Sequence, residues 1–214
     1  MHTAVTIALV ALTGLLANAA SAQSLERLPS GATLVTQLLQ LSGKFGDLQS
    51  RATREVTASL THTPAGRELA YSTGRIEKYD TRLGIVEVKT SSGTRTFEGK
   101  FLFHWLPEEG NFAATRKATE SYTVPDCGII DAEYTVTPSE KSQRVQVRGA
   151  EIDVKVVEFV LDGKWVSARC GDGRRILKFV YSRELDAILA NEFATFDRFG
   201  SLIGGSGIRV VRIE

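Results

Sequence analysis

Residues 154 to 197 constrain the fold of this chain more than any other stretch. They read Val-Lys-Val-Val-Glu-Phe-Val-Leu, Asp162-Gly163, Lys-Trp-Val-Ser-Ala-Arg-Cys, Gly171-Asp172-Gly173, Arg-Arg-Ile-Leu-Lys-Phe-Val-Tyr-Ser, a polar turn, and Ala-Ile-Leu-Ala-Asn-Glu-Phe-Ala-Thr-Phe. These are four runs of strand-forming residues, with Asp-Gly marking two of the joints. Both central positions of a type I′ hairpin turn need positive φ, which Asp-Gly supplies. The stretch therefore predicts a four-strand antiparallel meander.

The rest of the chain has the same texture, with one exception. Ser30 is placed to cap a short helix, with Leu34, Val35, Leu38, Leu39 and Leu41 on one side and Gly43 ending it. From Lys44 strand signals follow one another. Ile85–Lys89 and Thr94–Phe97 flank Ser91-Ser92-Gly93 as a hairpin, and Phe101 to Leu106 reads as the most apolar strand. Tyr122 to Pro125 and Ile129 to Thr137 flank a turn at Cys127, and Ile208 to Ile213 reads as a last strand zipped into the sheet. A glycine-rich loop, Phe199 to Gly207, precedes it. All five prolines sit at turns or strand ends. The expected fold is mainly β: a curved antiparallel sheet or half-open β-barrel with one N-terminal helix against it, a two-sheet β-sandwich being the alternative.

The first residues read as a targeting segment. Ala4 to Leu16 is an apolar run without charge, and Ala20-Ser21-Ala22 offers the small-x-small pattern of a signal-peptidase site. Residues 1–22 are thus expected to be a signal peptide, although Met1-His2-Thr3 carries no basic residue. An uncleaved anchor is the rival, but the apolar core is short for a span of about 20 residues. Residues 23–214 are expected to form a single exported β-rich domain, periplasmic or extracellular and soluble, with no stable membrane span after cleavage. Lys and Arg number 26 against 25 Asp and Glu, so no basic excess points to nucleic acid. Cys127 and Cys170 are expected to pair, closing a loop of 43 positions (170 − 127). The chain-entropy model values such a loop at about 4 kcal/mol.

Motifs for catalysis are sparse. There is no Gly-x-Ser-x-Gly elbow, no His-Glu-x-x-His, no Cys/His quartet and no calcium loop. The reading assigns no catalytic residue, no metal and no cofactor. His62, in Thr61-His62-Thr63-Pro64, reads as a surface turn residue, and His104, between Phe103 and Trp105, as a half-buried structural one. Lys164, Arg169, Arg174, Arg175 and Lys178 read as a solvated charged face. What stands out is Phe101-Leu102-Phe103-His104-Trp105-Leu106, apolar on both faces of a strand where a half-wet sheet would alternate. Both faces should then be covered: by core packing, or with one face lining an apolar cavity. In the cavity version Phe101, Phe103 and Trp105 are contact residues. Phe199, with Leu202 and Ile203, forms a mobile cover.

Tyr181-Ser182-Arg183-Glu184-Leu185-Asp186, preceded by an apolar strand and followed by Ile188-Leu189-Ala190-Asn191-Glu192, resembles the strand–turn–strand of exported bacterial β-proteins of uncharacterised function. Their phrase is Tyr-Ser-Pro-Glu-Leu-Gly, from which this chain departs at Arg183 and Asp186. The layout of a helix followed by continuous antiparallel strands is similar to that of periplasmic lipoprotein carriers of the Lol type, whose half-barrel holds acyl chains. Neither resemblance brings catalytic residues.

Together these readings suggest a non-catalytic exported β-domain. It would bind an apolar or amphipathic ligand, a lipid-like small molecule for instance, or another envelope protein. The alternatives are a surface or assembly accessory protein without a pocket, and, from another class, a hydrolase built on His104.

Overall fold

A computed structural model describes residues 27–99, 102–107, 114–124 and 126–214. The signal segment 1–22 and Phe101 lie outside the described residues. Twelve strands follow in chain order: β1 Ala32–Lys44, β2 Asp47–Thr63, β3 Gly66–Tyr71, β4 Ile76–Asp80, β5 Ile85–Thr90, β6 Gly93–Thr96, β7 Arg116–Val124, β8 Gly128–Val147, β9 Ala150–Ser167, β10 Gly171–Ser182, β11 Ala187–Asp197 and β12 Leu202–Ile213. They form one sheet in the order β6-β5-β4-β3-β2-β1-β12-β11-β10-β9-β8-β7. Two antiparallel meanders are thus joined where β1 lies beside β12, Leu34 opposite Ile213. The end of β8 also runs parallel to the end of β12, Arg212 opposite Gln146, so β8 to β12 close into a ring. This is the expected curved antiparallel sheet with partial closure.

The meander over 154–197 exists with three strands, β9, β10 and β11, rather than four. Asp162-Gly163 makes no turn. It lies inside β9, with Gly163 opposite Tyr134 on one side and Arg175 on the other. Glycine is required there by crowding: a Cβ would stand 2.1 Å from the Glu133 carbonyl oxygen and 2.6 Å from the Tyr134 ring. The type I′ geometry falls instead at Arg148 (φ 49°) and Gly149 (φ 84°), between β8 and β9.

No helix forms over Ser30–Leu41; the segment is β1, paired with β2 on one edge and β12 on the other. Leu34, Val35 and Thr36 are buried in succession because β1 is covered on both faces. Register shifts after Val35 and after Leu38 break its alternation further. Apolar residues on both faces of a bulged strand imitate the i, i+3, i+4 spacing of a helix. Thr33, Val35 and Thr36, β-branched, fit a pleated strand better than a helix.

Leu102 to Leu106 is not a strand either. The segment enters the concave side of the sheet, where Trp105 stacks on Phe179 with ring centroids 4.4 Å apart and packs against Phe159 and Phe103. Its backbone is satisfied by arginines in place of a ladder. Arg116 Nη2 donates to the carbonyls of His104 (2.9 Å) and Trp105 (2.8 Å), and Leu106 N–H donates to the Arg82 carbonyl at 3.0 Å. Trp105 is buried by this insertion, while its neighbours from Leu102 to Pro107 stay partly exposed.

The main core joins Trp105, Tyr134, Phe159 and Phe179 with the inward residues of β1 to β4 and β8 to β12. A smaller cluster of Leu41, Ala194 and Phe196 sits beside Phe45 and Leu202. The glycine-rich stretch is mostly strand: β12 begins at Leu202, and a Cβ at Gly205 would stand 3.1 Å from Leu41 Cβ. Close packing of β12 on its neighbours, not loop mobility, accounts for that glycine. Cys127 and Cys170 are disulfide-bonded, tying the β7–β8 turn to the β9–β10 turn.

Candidate functional site

The concave side of the sheet holds a cavity of about 760 Å³, lined by residues of β1 to β7, β10 to β12 and the inserted segment. Only β8 and β9, whose inward side chains fill the main core, contribute nothing to its wall. Apolar residues in its wall include Leu38, Val88, Phe103, Trp105, Leu177 and Ile208. The size lies within the usual few hundred to about 1,000 Å³ of ligand pockets.

Of the residues expected at such a site, Phe103 and Trp105 line the cavity. Trp105 is only 4% exposed, so it serves core and cavity wall together. Phe199 does not line it. That ring is 78% exposed on the turn between β11 and β12, Ile203 is 61% exposed, and Leu202 packs on the smaller cluster. They form no cover over the cavity, because the strand pairing of β12 places them at its far end.

Two buried polar networks stand on the cavity wall. In the first, Glu77 Oε2 accepts from the hydroxyls of Tyr79 (2.7 Å) and Tyr71 (3.1 Å), and Oε1 from Arg75 Nε (2.7 Å). Burial, followed by the adjacent Glu77 carboxylate, holds both phenols well above their ordinary range, so they remain donors. In the second, Arg175 Nη1 donates to Glu120 Oε2 (2.8 Å) and to the Tyr134 hydroxyl (3.2 Å), which itself donates to Glu120 at 2.9 Å. Burial alone would favour the neutral guanidine, but Glu120 and the tyrosines outweigh it and raise its pKa. The guanidinium carbon lies 4.2 Å from the centre of the Tyr122 ring. The Nε of Arg175 and the hydroxyl of Tyr122 are buried with no hydrogen-bond partner among the described residues.

Arg175 was to be part of a solvated face, and it is not: its side chain is 13% exposed. The others do face outward, Lys164 and Arg169 exposed, Arg174 paired with Asp162 and Lys178 with Glu158. Parity was the available signal. Arg175 falls on the same side of β10 as Leu177 and Phe179, and Glu120 on the same side of β7 as Tyr122.

His104 is half-buried, as expected, with Nε2 2.7 Å from Asp80 Oδ2. Asp80 Oδ1 accepts the backbone N–H groups of Arg82 and Gly84, so the pair pins the turn after β4. His104 hydrogen-bonds to no serine, threonine or cysteine among the described residues, and the arrangement orients the inserted segment without supplying a nucleophile. His62 is not a surface turn residue. It lies in β2, with Nε2 2.9 Å from the Leu28 carbonyl and Nδ1 3.5 Å from Asp186. Among the described residues no three His, Cys, Asp or Glu side chains gather as a metal site.

The fold and the cavity define a class: a curled antiparallel sheet around a half-open, mostly apolar hollow. Comparison with known proteins adds little to that. No protein-family model matches the chain, and no curated protein matches it. A solved structure from Parabacteroides distasonis ATCC 8503, described as a "putative lipoprotein", aligns over 89% of this chain and 98% of that one. The identity is 12% and the TM-score 0.37, too low for the likeness to carry an argument.

Proposed function

We propose that this protein is an exported, non-catalytic binding domain that holds an apolar or amphipathic molecule on the concave side of its sheet. The observation that carries this reading is the cavity of about 760 Å³ with Phe103 and Trp105 in its wall. A mostly apolar, half-open hollow of that size is the kind of concave surface that takes up a small apolar ligand. Export is supported by the segment 1–22 and by the Cys127–Cys170 disulfide, which an oxidising compartment maintains.

Native mass spectrometry of protein purified from its own host is the test, because a carried ligand appears as added mass. Trp105→Ala is a poor probe, since removing a buried tryptophan costs about 3–5 kcal/mol and threatens the fold. Leu38→Trp and Ile208→Trp instead fill the space from β1 and β12. Both variants should fold, lose the added mass and stop taking up a neutral apolar fluorophore. No added mass in the parent protein together with no dye uptake would overturn the reading.

A second reading, an accessory protein acting through a sheet edge, is favoured by β2. Its residues 47–56 pair with β1 alone, since β3 meets β2 only from Ala58 onward. Arg51, Arg54 and Glu55 on that stretch blunt it, as charges commonly do on exposed edges. A dry cavity combined with concentration-dependent association would favour this reading.

A further inference from the structure

Resting on the proposal that the cavity holds an amphipathic molecule, we infer that the ligand is an anionic amphiphile of the fatty-acid kind. Its carboxylate is received by Arg175 and Tyr122, and its tail runs along Phe103, Leu38 and Ile208.

The charge of the cavity wall points to an anion. Arg54, Arg75, Arg95 and Arg175 line it against Glu77 and Glu120, so four positive groups less two negative leave a balance of two positive. Each acid is already matched by a guanidinium, Glu77 by Arg75 and Glu120 by Arg175. Glu77 is occupied on both oxygens, by Arg75 and by two tyrosine hydroxyls, and Glu120 Oε2 is shared by Arg175 and Tyr134. At the second network Arg175 is matched by Glu120, so the positive balance of the wall comes from Arg54 and Arg95, both exposed, and suits an anionic head group.

The unmet hydrogen bonds choose the place. Arg175 spends only Nη1 on partners among the described residues. Its Nε–H and the Tyr122 hydroxyl have none, and neither is open to solvent. Buried polar groups without partners are rare in native proteins and call for an explanation. Here two belong to neighbouring side chains on a cavity wall, and both can donate. A carboxylate matches the planar edge of a guanidinium. The Tyr122 ring lies on the Arg175 guanidinium, 4.2 Å from its carbon, and neither unpaired group opens onto the cavity until the phenol swings aside for the head group.

The test is a head-group series on one tail, added to delipidated protein at a pH where laurate is ionised: laurate, dodecanol and dodecylamine, with affinities from displacement of the fluorophore. Laurate should bind about tenfold or more tighter than dodecanol, the scale of a charge-assisted hydrogen bond gained in a buried site. Dodecylamine should bind weakest. Tyr122→Phe should weaken laurate several-fold and leave dodecanol unchanged. Arg175→Gln combined with Glu120→Gln, which removes both charges together and leaves neither unpaired, should erase the preference for laurate. Equal affinity for laurate and dodecanol, or dodecylamine binding best, would overturn this inference while leaving the cavity's function standing. No binding of any of the three would remove both. If the double variant does not fold, the series on the parent protein and on Tyr122→Phe decides.

Discussion

Asp186 shows how one side chain is held by opposing demands. Its backbone sits at φ 49°, a left-handed conformation that glycine adopts without strain, and glycine is the residue of the Tyr-Ser-Pro-Glu-Leu-Gly turn it resembles. Its carboxylate meanwhile receives Arg27 at 2.6 Å, Arg67 at 2.8 Å and the Tyr181 hydroxyl at 2.5 Å. Arg67 is only 7% exposed, and two of its other nitrogens are already without partners. Asp186→Gly relieves about 1–2 kcal/mol of backbone strain. It also strands a buried guanidinium, which typically costs about 3–5 kcal/mol. The second effect is larger, so the variant should be less stable by about 2 kcal/mol in urea unfolding, despite the easier turn. Equal or greater stability would show that the ion cluster contributes no more than the backbone strain it offsets.

At the level of elements, strand pairing overrode local pattern wherever a segment was covered on both faces. β1 and the inserted 102–107 segment are both apolar on two sides, and the sequence could not say whether a helix, a strand or a plug would bury them. Hairpins with polar turn residues between apolar runs were legible. β5 and β6 with their turn at Ser91-Ser92, and the turn of Arg183 to Asp186 between β10 and β11, fall where the residues indicate. Phe103 and Trp105 could be picked out because they interrupt alternation. Strand parity put Arg175 and Glu120 on inward faces, but that they pair with each other, or Glu77 with two tyrosines, becomes legible only once the partner on another strand is known. The disulfide joins two of the best-defined turns. Ser167 Oγ reinforces that junction by donating to the Cys127 carbonyl at 2.8 Å and accepting the N–H groups of Arg169 and Cys170 at 3.2 Å. Replacing both cysteines by serine should lower stability by about 4 kcal/mol, the loop-entropy value for a closure of 43 residues. A fall below about 1 kcal/mol would mean that the long β8–β9 pairing already confines that loop in the unfolded ensemble.

Across the whole molecule, the five tyrosines form a shared alkaline limit. Burial raises Tyr71, Tyr79, Tyr122 and Tyr134, and burial followed by the Asp186 hydrogen bond pushes Tyr181 up to about 12. A folded-state pKa raised above the unfolded value of about 10 contributes stability fully present below pH 10 and lost as pH climbs through the folded value. Tyrosinate absorbance should therefore stay low where free tyrosine is already half-ionised, then rise together with loss of the β-sheet circular dichroism signal. Gradual ionisation in an intact sheet would contradict that burial. Residue order alone determined the strand-rich character, several of the hairpin turns and the cysteine partnership, because alternation and turn chemistry act between near neighbours. The closure of β8 onto β12, the entry of Trp105 into the concave side and the buried charges beside the cavity were decided only in three dimensions. Each depends on groups far apart in the chain, whose burial becomes favourable only when the curled sheet brings their partners to them.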